Sequence, residues 1–494
     1  MKPQSWIKRS VKIWRCWVMG SEVNLLTLGD VCYITDGAHS KVERQVSGVM
    51  YLTSKNIGRG QLKLDNFDFI SESCFLKLFT NTRKAQRRLQ AGDVLMGIIG
   101  TFGNYYLYKK TDHFGISSSI AILRAEPSKL LPEYLCYYIS SNSFKNIVEK
   151  FKGGSVQGYT NISTLKALPI PVPSLDIQKK IVNNLTPIDS KISLNHQINQ
   201  TLEQMAQTLF KSWFVDFDPV IDNALDADFF EQDLGFSEEL LHRVEVRKAV
   251  RESDNFKPLS EDIRRLFPDA FEECAEPALG LGGWVPKRWQ ISTVDDELTV
   301  KGGSTPSTAN PDFWKQGNIH WTSPKDLSGS QEKIMLDTER KITVLGLRKI
   351  TSGLLPINTV LMSSRAPIGY LAMAKIPVAI NQGYIAITTT KRLSQEYVLY
   401  WLDSSMDEIK GIAGGTTFAE ISKKTFKSIS MVIPDPQVIE KYTVTIKSYL
   451  NKVTLNAKER GSLEKLRDTL LPKLISGELS LSDIKIDIPE ETLI

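Results

Sequence analysis

The chain has 494 residues, of which 41% are hydrophobic and 24% are charged. This length predicts about two to four domains, and the composition is that of a globular protein with ordinary apolar cores. No apolar run approaches the roughly 18 residues that a membrane-spanning helix needs. Residues 1–23 form a basic, Trp-rich extension without the continuous apolar stretch of a secretory signal, and Met19 is an alternative to Met1 as the natural start.

The formal net charge is only +5, but the charges are distributed unevenly along the chain. Residues 214–284 contain about 18 acidic and about 7 basic side chains, whereas residues 20–170 and 285–430 have net charges of roughly +6 and +5. Basic surfaces attract nucleic acid because phosphate contacts release condensed counterions. Solvated protein faces are the alternative explanation of charge counts this small.

The cysteines exclude a disulfide framework and a zinc site, because they are odd in number and never form a Cys-x-x-Cys pair. We therefore expect a reducing, cytoplasmic location. The cysteines are Cys16, Cys32, Cys74, Cys136 and Cys274.

Residues 24–173 form the first of two β-rich blocks. Short runs of Val, Ile, Leu and Tyr alternate with Gly, Asn and Ser, as in GDVLMGIIGTFGNYYLY at 92–108, which is typical of strands joined by turns. The stretch TRKAQRRLQAGD at 82–93 predicts a short basic helix before a strand, and a further helical region is expected over 132–151.

Residues 174–216 predict a long helix with a coiled-coil seam. Apolar residues and one Asn recur every 3.5 residues on average, roughly the period of a paired helix rather than of a lone amphipathic helix. Pro187 lies inside this seam and should kink the helix or delay its start. The seam positions are Ile181, Leu185, Ile188, Ile192, Asn195, Ile198, Leu202, Met205 and Leu209.

The chain repeats this order after an acidic connector at residues 217–284. Residues 285–434 form a second block, whose Val-Leu-Met run at 360–362 matches the run at 94–96, and residues 435–480 repeat the seam helix without a gap. Residues 481–494 are a C-terminal tail. The repeated seam positions are Tyr442, Ile446, Tyr449, Val453, Asn456, Leu463, Leu466 and Leu470, with Glu459 polar and Gly461 nearby.

Asn195 and Asn456 occupy equivalent seam positions. A single polar seam residue fixes the register and the choice of partner, so two of them predict that the long helices pair with each other. Tolerance of Asn at a helix surface is the alternative. The predicted fold class is α+β, with two pseudo-repeated β-rich globular domains separated by two long helices that form an antiparallel coiled coil.

Enzyme signatures occur only as loose matches. NPDFW at 310–314 differs at Asp312 from the Asn-Pro-Pro-aromatic motif of amino-methyltransferases, and no glycine-rich cofactor loop follows a strand at a suitable distance. Asp312 with Glu339 and Lys341 matches a nuclease pattern that recurs by chance in long chains. We therefore expect a non-catalytic chain with no catalytic residue, no metal site and no cofactor of its own.

Polar and basic side chains in both blocks are candidates for DNA contacts. Lys and Arg suit phosphates and guanine edges, and Asn and Gln suit adenine edges. The alternatives are a solvated helix face for the basic residues and backbone-satisfying amides for Asn and Gln. The candidates are Lys55, Arg59, Arg83, Lys84, Arg87, Arg88, Lys325, Arg348, Lys349, Arg365, Asn381 and Gln382.

Three stretches together resemble the specificity subunit of type I restriction-modification systems. QTLFKSWFVDFDP at 207–219 and LRDTLLPKLISGEL at 466–479 are similar to the ends of the two conserved regions of that family. LGDVCYITDG at 28–37 resembles the typical opening of its target-recognition domain. The resemblance covers nearly everything from about residue 24 to residue 484.

The resemblance implies that each block is a target-recognition domain that reads one half of a split sequence in double-stranded DNA. The paired helices would fix the gap between the halves. Two methyltransferase subunits, which bind S-adenosylmethionine, would assemble on this chain together with nuclease-translocase subunits. Base-reading residues cannot be transferred, since recognition domains diverge strongly within the family.

Two other classes of function remain open from the sequence. One is a self-contained restriction or methylation enzyme with fused recognition domains, and the other is a coiled-coil adaptor that does not bind DNA. Under the resemblance, the apolar side chains at the helix ends exceed what a two-helix seam can bury, which predicts a methyltransferase interface. The interface candidates are Phe210, Trp213, Phe214, Leu471 and Leu474.

Overall fold

The computed structural model describes residues 23–476, 478 and 479, apart from 83–85, 101–102, 152–160, 255, 275–280, 331, 366 and 415–418. The chain divides into two compact units. The first unit contains the described residues up to Ser193 and from Gly461 onward, and the second contains Leu194–Arg460. Each unit therefore includes one β-rich block and a segment of each long helix.

The first block, as far as it is described, is rich in strands. These are β1 (Asn24–Thr27), β2 (Cys32–Asp36), β3 (Val49–Leu52), β4 (Asp68–Ile70), β5 (Val94–Gly97), β6 (Tyr105–Leu107), β7 (Phe114–Ile116), β8 (Ile120–Ala125) and β9 (Pro169–Val172). They form a three-stranded sheet in the order β4-β3-β7, a four-stranded sheet in the order β2-β8-β5-β6, and the pair β1-β9. The helices of the block are Leu28–Val31, Glu72–Leu78, Pro132–Ser140, Asn142–Phe151 and Ile162–Lys166.

The first long helix spans Leu175–Phe210 and continues into a π-helical turn at Lys211–Val215. The acidic connector that follows is folded into the second unit. It contains the helices Asp218–Asp226, Glu238–Arg251 and Glu261–Arg264, and strand β10 (Phe271–Glu273), which pairs with β11 (Trp284–Pro286). Arg247 donates to both carboxylate oxygens of the buried Asp222, so part of the connector's acidic charge is paired internally.

The described part of the second block is also rich in strands. These are β12 (Gln290–Thr293), β13 (Leu298–Gly302), β14 (Ile319–Thr322), β15 (Ile334–Met335), β16 (Arg340–Ile342), β17 (Val360–Ser364), β18 (Ile368–Ala374), β19 (Ala379–Ile380), β20 (Tyr384–Thr390) and β21 (Ser430–Ile433). They form a three-stranded sheet in the order β16-β14-β19, a five-stranded sheet in the order β13-β20-β17-β18-β15, and the pair β12-β21. The helices of the block are Val294–Glu297, Val344–Leu347, Gln395–Ser404, Met406–Gly411 and Lys423–Lys427.

The two blocks share one architecture, which confirms the predicted internal repeat. In each three-stranded sheet the central strand, β3 or β14, has one antiparallel and one parallel neighbour. The repeated Val-Leu-Met runs lie in β5 and β17, where both sheet faces are buried. Because side chains alternate along a strand, Val94 and Met96 join one core and Leu95 joins another.

The second long helix spans Pro436–Ser476. Within the second unit, Asn456 Nδ2 donates to Asn199 Oδ1 at 2.9 Å and Asn195 Nδ2 donates to Glu459 Oε2 at 2.8 Å. Higher residue numbers on one helix face lower numbers on the other, so the segments run antiparallel. Each predicted seam Asn thus bonds to the opposite helix, although the two do not bond to each other.

The segments of the long helices that belong to the first unit also pair antiparallel. Arg467 donates to Asp189 Oδ1 at 2.9 Å. The apolar residues of this pairing belong to the core of the first block, so the helices and the block share one core. These residues are Ile181, Leu185, Ile188, Leu471, Leu474 and Ile475.

The seam prediction is wrong at several positions in the later part of each helix. Met205 is 45% exposed and Leu466 is 43% exposed, whereas Ala206 and Leu471 are buried. The predicted seam residues Ile198 and Tyr449 are only half-buried. Their neighbours Asn199 and Leu450 are buried instead. The cause is that a straight helix has about 3.6 residues per turn, so its buried face drifts forward from a strict 3.5-residue repeat.

The expectation that Pro187 delays the first long helix is also wrong. The helix begins at Leu175 and continues through Pro187 to Phe210. Pro187 is exposed, and the buried Leu185 and Ile188 beside it anchor the helix to the core. Proline removes one backbone donor, and at this exposed position the carbonyl that loses its helical partner is open to solvent.

None of the described helices is long and apolar enough to span a membrane.

Candidate nucleic-acid interface

A capped turn follows the central strand of each three-stranded sheet. After β3, the backbone N–H of Thr53 donates to Asn56 Oδ1 at 2.9 Å, and after β14 that of Ser323 donates to Asp326 Oδ2 at 2.8 Å. Each contact belongs to a capping box that starts a single 3-10 turn. Lys55 and Lys325 stand at the same position of these two turns, and both are exposed.

A glycine beside the neighbouring strand end allows the backbone to approach closely in both blocks. A Cβ atom on Gly37 would lie 2.4 Å from the carbonyl oxygens of Ile116 and Ser117. A Cβ atom on Gly303 would lie 1.9 Å from the oxygen of Ile380. A larger residue would push the chain away from the end of β7 or β19, so both glycines hold the loops of this edge together.

In the second block, several of the predicted residues lie in loops that meet at this edge. Thr305 Oγ1 donates to Gln382 Oε1 at 2.8 Å, and Ser304 Oγ donates to the carbonyl of Lys349 at 3.2 Å. The backbone N–H of Asn381 donates to the carbonyl of Thr322 at 3.0 Å. The structure therefore brings Lys325, Arg348, Lys349, Asn381 and Gln382 to one edge.

The two amides differ in how free they are to read a base. Asn381 Oδ1 accepts from the backbone N–H of Gly383 at 2.9 Å, as expected for an amide that shapes its own loop. Gln382 is exposed, and its side-chain amide nitrogen, Nε2, remains a donor at the surface. Of the two amides, Gln382 is thus the better placed for contact with a base edge.

Two cations near this edge, the exposed Lys325 and the half-buried Arg365, are only loosely paired. Lys325 Nζ lies 3.0 Å from Glu339 Oε2, and both side chains are largely exposed. Arg365 lies 3.8 Å from Glu420, on the loop after β17, whose Ser364 N–H donates to the carbonyl of Gly383. Exposed ion pairs contribute little free energy, so both cations can exchange their carboxylate for a phosphate at low cost.

An arginine that the sequence analysis did not single out lies against two tryptophans. The guanidinium carbon of Arg340 is 3.5 Å from the ring centroid of Trp314 and 5.4 Å from that of Trp321. Arg340 is exposed, and Trp314 is half-buried. The only sequence signal was the aromatic end of NPDFW, which had been compared with a methyltransferase motif.

The candidates of the first block are less clustered. Arg59 donates to the carbonyl of Ser140 at 3.0 Å, and Arg87 pairs with Asp36 at 3.4 Å, so each guanidinium has an internal partner. Arg88 is exposed. The predicted basic helix is wrong for residues 86–93, which form bridges and turns, and Arg83 and Lys84 lie outside the described residues.

A partly buried polar cluster attaches the second block to both long helices inside the second unit. Glu332 accepts from Arg460 at 2.5 and 3.0 Å and from Asn199 Nδ2 at 2.9 Å. Lys333 Nζ lies 2.6 Å from Glu203 and 3.0 Å from Asp403. Burial would raise the pKa of Glu332, but the hydrogen bonds and the charge of Arg460 outweigh it and lower this pKa.

The predicted methyltransferase interface at the helix ends is wrong, because these side chains are buried within the chain itself. Phe210 and Trp213 are each 3% exposed, and Phe214 is 7% exposed. They pack against the connector and the second block, for example on Phe267 and Tyr397. The remaining two candidates, Leu471 and Leu474, are buried in the core of the first unit.

The residues of the loose nuclease pattern have other partners. Glu339 pairs with Lys325, and Lys341 lies 3.5 Å from Asp337. In the part of the chain that the structure describes, no group of three or more His, Cys, Asp and Glu side chains is arranged to hold a metal ion.

Residues 20–204 and 286–465 match the family model of the type I restriction modification DNA specificity domain. Each match covers one β-rich block and much of the long helix that follows it. The chain therefore belongs to the type I restriction-modification DNA specificity family, and it has two target-recognition domains.

Relatives of this family match over much of the chain. The HindI specificity subunit of Haemophilus influenzae is 28% identical over 418 residues, which cover 80% of this chain and 88% of the relative. The MjaIX specificity subunit of Methanocaldococcus jannaschii is 36% identical over 187 residues, which cover 37% of this chain and 43% of the relative. A type I S subunit from M. genitalium has a crystal structure with 16% identity and a TM-score of 0.49, covering 92% of this chain and 97% of that one.

The family match confirms the predicted family and its two recognition domains, and the strands and helices of the two blocks confirm the predicted α+β fold. The relatives also confirm that the chain is a non-catalytic subunit, because they are named as specificity subunits.

Proposed function

We propose that the chain binds a bipartite sequence in double-stranded DNA, with one recognition domain on each half. The duplicated edge is the observation that carries this proposal: the same capped turn presents an exposed lysine, Lys55 or Lys325, in both domains. Two copies of one scaffold with different surrounding loops suit two half-sites of different sequence. Cations at such an edge position the protein on phosphates, and the loops around them supply contacts to the bases.

The long helices act as the spacer between the half-sites in this proposal. Their segments pair antiparallel in each unit, through Asn199 and Asn456 in the second and through Asp189 and Arg467 in the first. Polar pairs inside a helix interface favour one register over its neighbours. A fixed register would give a fixed gap between the two half-sites.

We further propose that this chain is the scaffold of a larger cytoplasmic assembly. Two methyltransferase subunits with bound S-adenosylmethionine would assemble on each chain. Nuclease-translocase subunits would join them, and these partners would supply the catalytic activities. Membership of the specificity family supports this proposal. Since the aromatic cluster around Trp213 is buried, the docking surface for these subunits must involve other, exposed residues.

The proposal is tested by mapping methylation in a host without other modification systems that expresses this chain with its methyltransferase subunits. Strand-resolved sequencing should find one split sequence methylated throughout the genome. Lys55→Ala and Lys325→Ala should each reduce affinity for that duplex about fivefold or more, since a lost contact to DNA costs roughly 1 kcal/mol or more.

Lys257→Ala is the matched control, because it removes an exposed lysine from the acidic connector. It should leave affinity and methylation unchanged. The proposal would be refuted if the methylated sequence were not split into two halves. It would also be refuted if neither Lys55→Ala nor Lys325→Ala changed the affinity for the duplex. An adaptor that never touches DNA would show no salt-dependent duplex binding at all.

A further inference from the structure

A lysine-lined groove lies in the second block between its helices Val294–Glu297 and Lys423–Lys427. Its volume is about 680 Å³, and its polar lining consists of Thr293, Asp295, Lys423, Lys424, Lys427 and Ser428. Lys427 Nζ lies 2.7 Å from Asp295 Oδ1, so the single acidic side chain of the lining is already paired. Lys423 and Lys424 are exposed and form no ion pair with any residue that the structure describes.

The first block has the same two helices but not the same charges. The N-caps Asn161 and Ser422 begin the equivalent helices Ile162–Lys166 and Lys423–Lys427. Ile162 and Ser163 therefore occupy the positions of Lys423 and Lys424. The two lysines at the start of this helix are therefore a property of the second block alone, whereas its last lysine, Lys427, has a counterpart in Lys166 of the first block.

The groove borders the edge at which the candidate DNA contacts meet. A Cβ atom on Gly302 would lie 3.0 Å from Lys423 Nζ, and Gly302 immediately precedes Gly303 and the loop that contacts β19. On the other side, the backbone N–H of Ile421 donates to the carbonyl of Ser364 at 3.0 Å, next to Arg365. Two chain segments thus connect the groove directly to the edge.

We infer that this groove binds the phosphate backbone of DNA beside the half-site that the second domain reads. The inference rests on the proposed function and adds an asymmetry to it: the second domain holds DNA with additional sequence-independent contacts that the first domain lacks. Ammonium groups on flexible stems suit phosphates as point charges, and such contacts orient the protein without selecting bases. Asp295 stays neutralised by Lys427, which leaves Lys423 and Lys424 for the phosphates.

The salt dependence of duplex binding tests the inference, because each neutralised phosphate contributes about 0.9 to the slope of log K against log salt. The full chain in complex with its methyltransferase subunits is titrated with a fluorescent duplex that contains the mapped site, over a range of KCl concentrations. Lys424→Ala should lower the slope by about one, and Lys423→Ala with Lys424→Ala by about two. The methylated sequence should not change, and Lys424→Arg should keep the original slope.

Lys257→Ala removes the same charge from the connector and should leave the slope unaltered. If the wild-type complex shows steep salt dependence and the double variant has the same slope, the inference is wrong. The proposed function would then be unaffected. An equal decrease in Lys257→Ala would also overturn the inference, because the effect would then be one of net charge. If the wild-type complex showed no salt-dependent binding to the duplex, the proposed function would fail together with the inference.

Discussion

Trp213 lies at the centre of an aromatic cluster in the second unit. Its ring centroid is 5.0 Å from that of Phe267, 6.1 Å from that of Phe214 and 6.2 Å from that of Tyr442. Rings at these separations and tilted angles pack favourably in addition to the area that they bury. The cluster joins the end of the first long helix to the connector and to the second helix, so Trp213 has a structural role.

Trp213→Ala should therefore lower the free energy of unfolding of the second unit by about 3–5 kcal/mol, through lost burial and a residual cavity. Met205→Ala on the same helix is the control and should change it by less than about 0.5 kcal/mol, since Met205 is 45% exposed. Denaturant titration followed by circular dichroism measures both values. Equal stability of the Trp213 variant and the wild type would contradict this role.

Glu332 gives the second unit a pH-dependent contribution to stability. Its pKa lies below the ordinary value of 4.5 in the folded chain, because the Arg460 and Asn199 contacts outweigh burial. A group with a lowered folded pKa stabilises the fold above its unfolded pKa, and this contribution is lost as the pH falls through the folded pKa.

The difference in melting temperature between wild type and Glu332→Gln should accordingly be largest near neutral pH and should shrink below a pH of about 4.5. Scanning calorimetry at a series of pH values measures it. Glu339→Gln is the control, since its pair with Lys325 is exposed and should contribute little at any pH. A difference that grew on acidification would show that the sign of this linkage is wrong.

At the scale of the long helices, Asn199 and Asn456 form a buried polar layer in the helix interface of the second unit. Asn199 accepts from Asn456 and donates to Glu332 and to the carbonyl of Val453. Both Asn side chains are almost fully buried. Such a layer costs some stability relative to apolar residues but disfavours alternative registers, which is what a spacer requires.

Asn456→Ala should reduce the free energy of unfolding of the second unit by about 1–3 kcal/mol, because Asn199 Oδ1 then lacks a donor in a buried site. Asn451→Ala, on the exposed face of the same helix, should be neutral or slightly stabilising, since Ala is the better helix former. A comparison of the two variants by chemical denaturation isolates the buried contact from helix propensity. Equal effects would mean that the polar layer contributes nothing.

The helices also show what the sequence could predict. The repeat and the pairing of the long helices followed from the spacing of apolar residues and from two seam asparagines. The buried face of each helix over its later part could not be predicted, since a strict 3.5-residue repeat selects Met205 whereas the structure buries Ala206. The excess of aromatic residues at 210–217 was recognised correctly, but its partner, the folded connector, has no repeat by which it could be identified.

At the scale of the whole molecule, each unit has its own principal core. The core of the second unit includes Trp213, Val360 and Ile446, and that of the first includes Val94, Ile170 and Leu185. Leu185 and Ile446 occupy equivalent positions of the repeat, and both are fully buried. This equivalence provides a matched pair of substitutions, one in each unit.

Leu185→Ala and Ile446→Ala should each destabilise one unit by about 2–5 kcal/mol. If the units unfold separately, calorimetry should show two transitions, of which each variant lowers a different one. A single transition that both variants lower equally would show that the shared helices couple the units into one cooperative structure.

The candidate interface was only partly predictable. Lys55 and Lys325 were selected as isolated basic residues, and only the structure shows that they occupy the same capped turn. Arg340 was missed because its stacking on Trp314 joins a residue of β16 to a residue of the turn before β14, which no local pattern reveals. Asn381 illustrates the converse, since its amide was proposed for base reading but is bonded to its own loop.

The close contact of Gly303 with the end of β19 separates two kinds of position in the recognition domain. Any side chain at Gly303 would collide with the Ile380 carbonyl, and the same holds for Gly37 against Ile116. Exposed residues such as Lys325 and Gln382 meet no comparable packing requirement. Substitutions in the loops that contact DNA can thus accumulate, whereas changes at the glycines are selected against. DNA specificity can therefore change during evolution while the fold is retained.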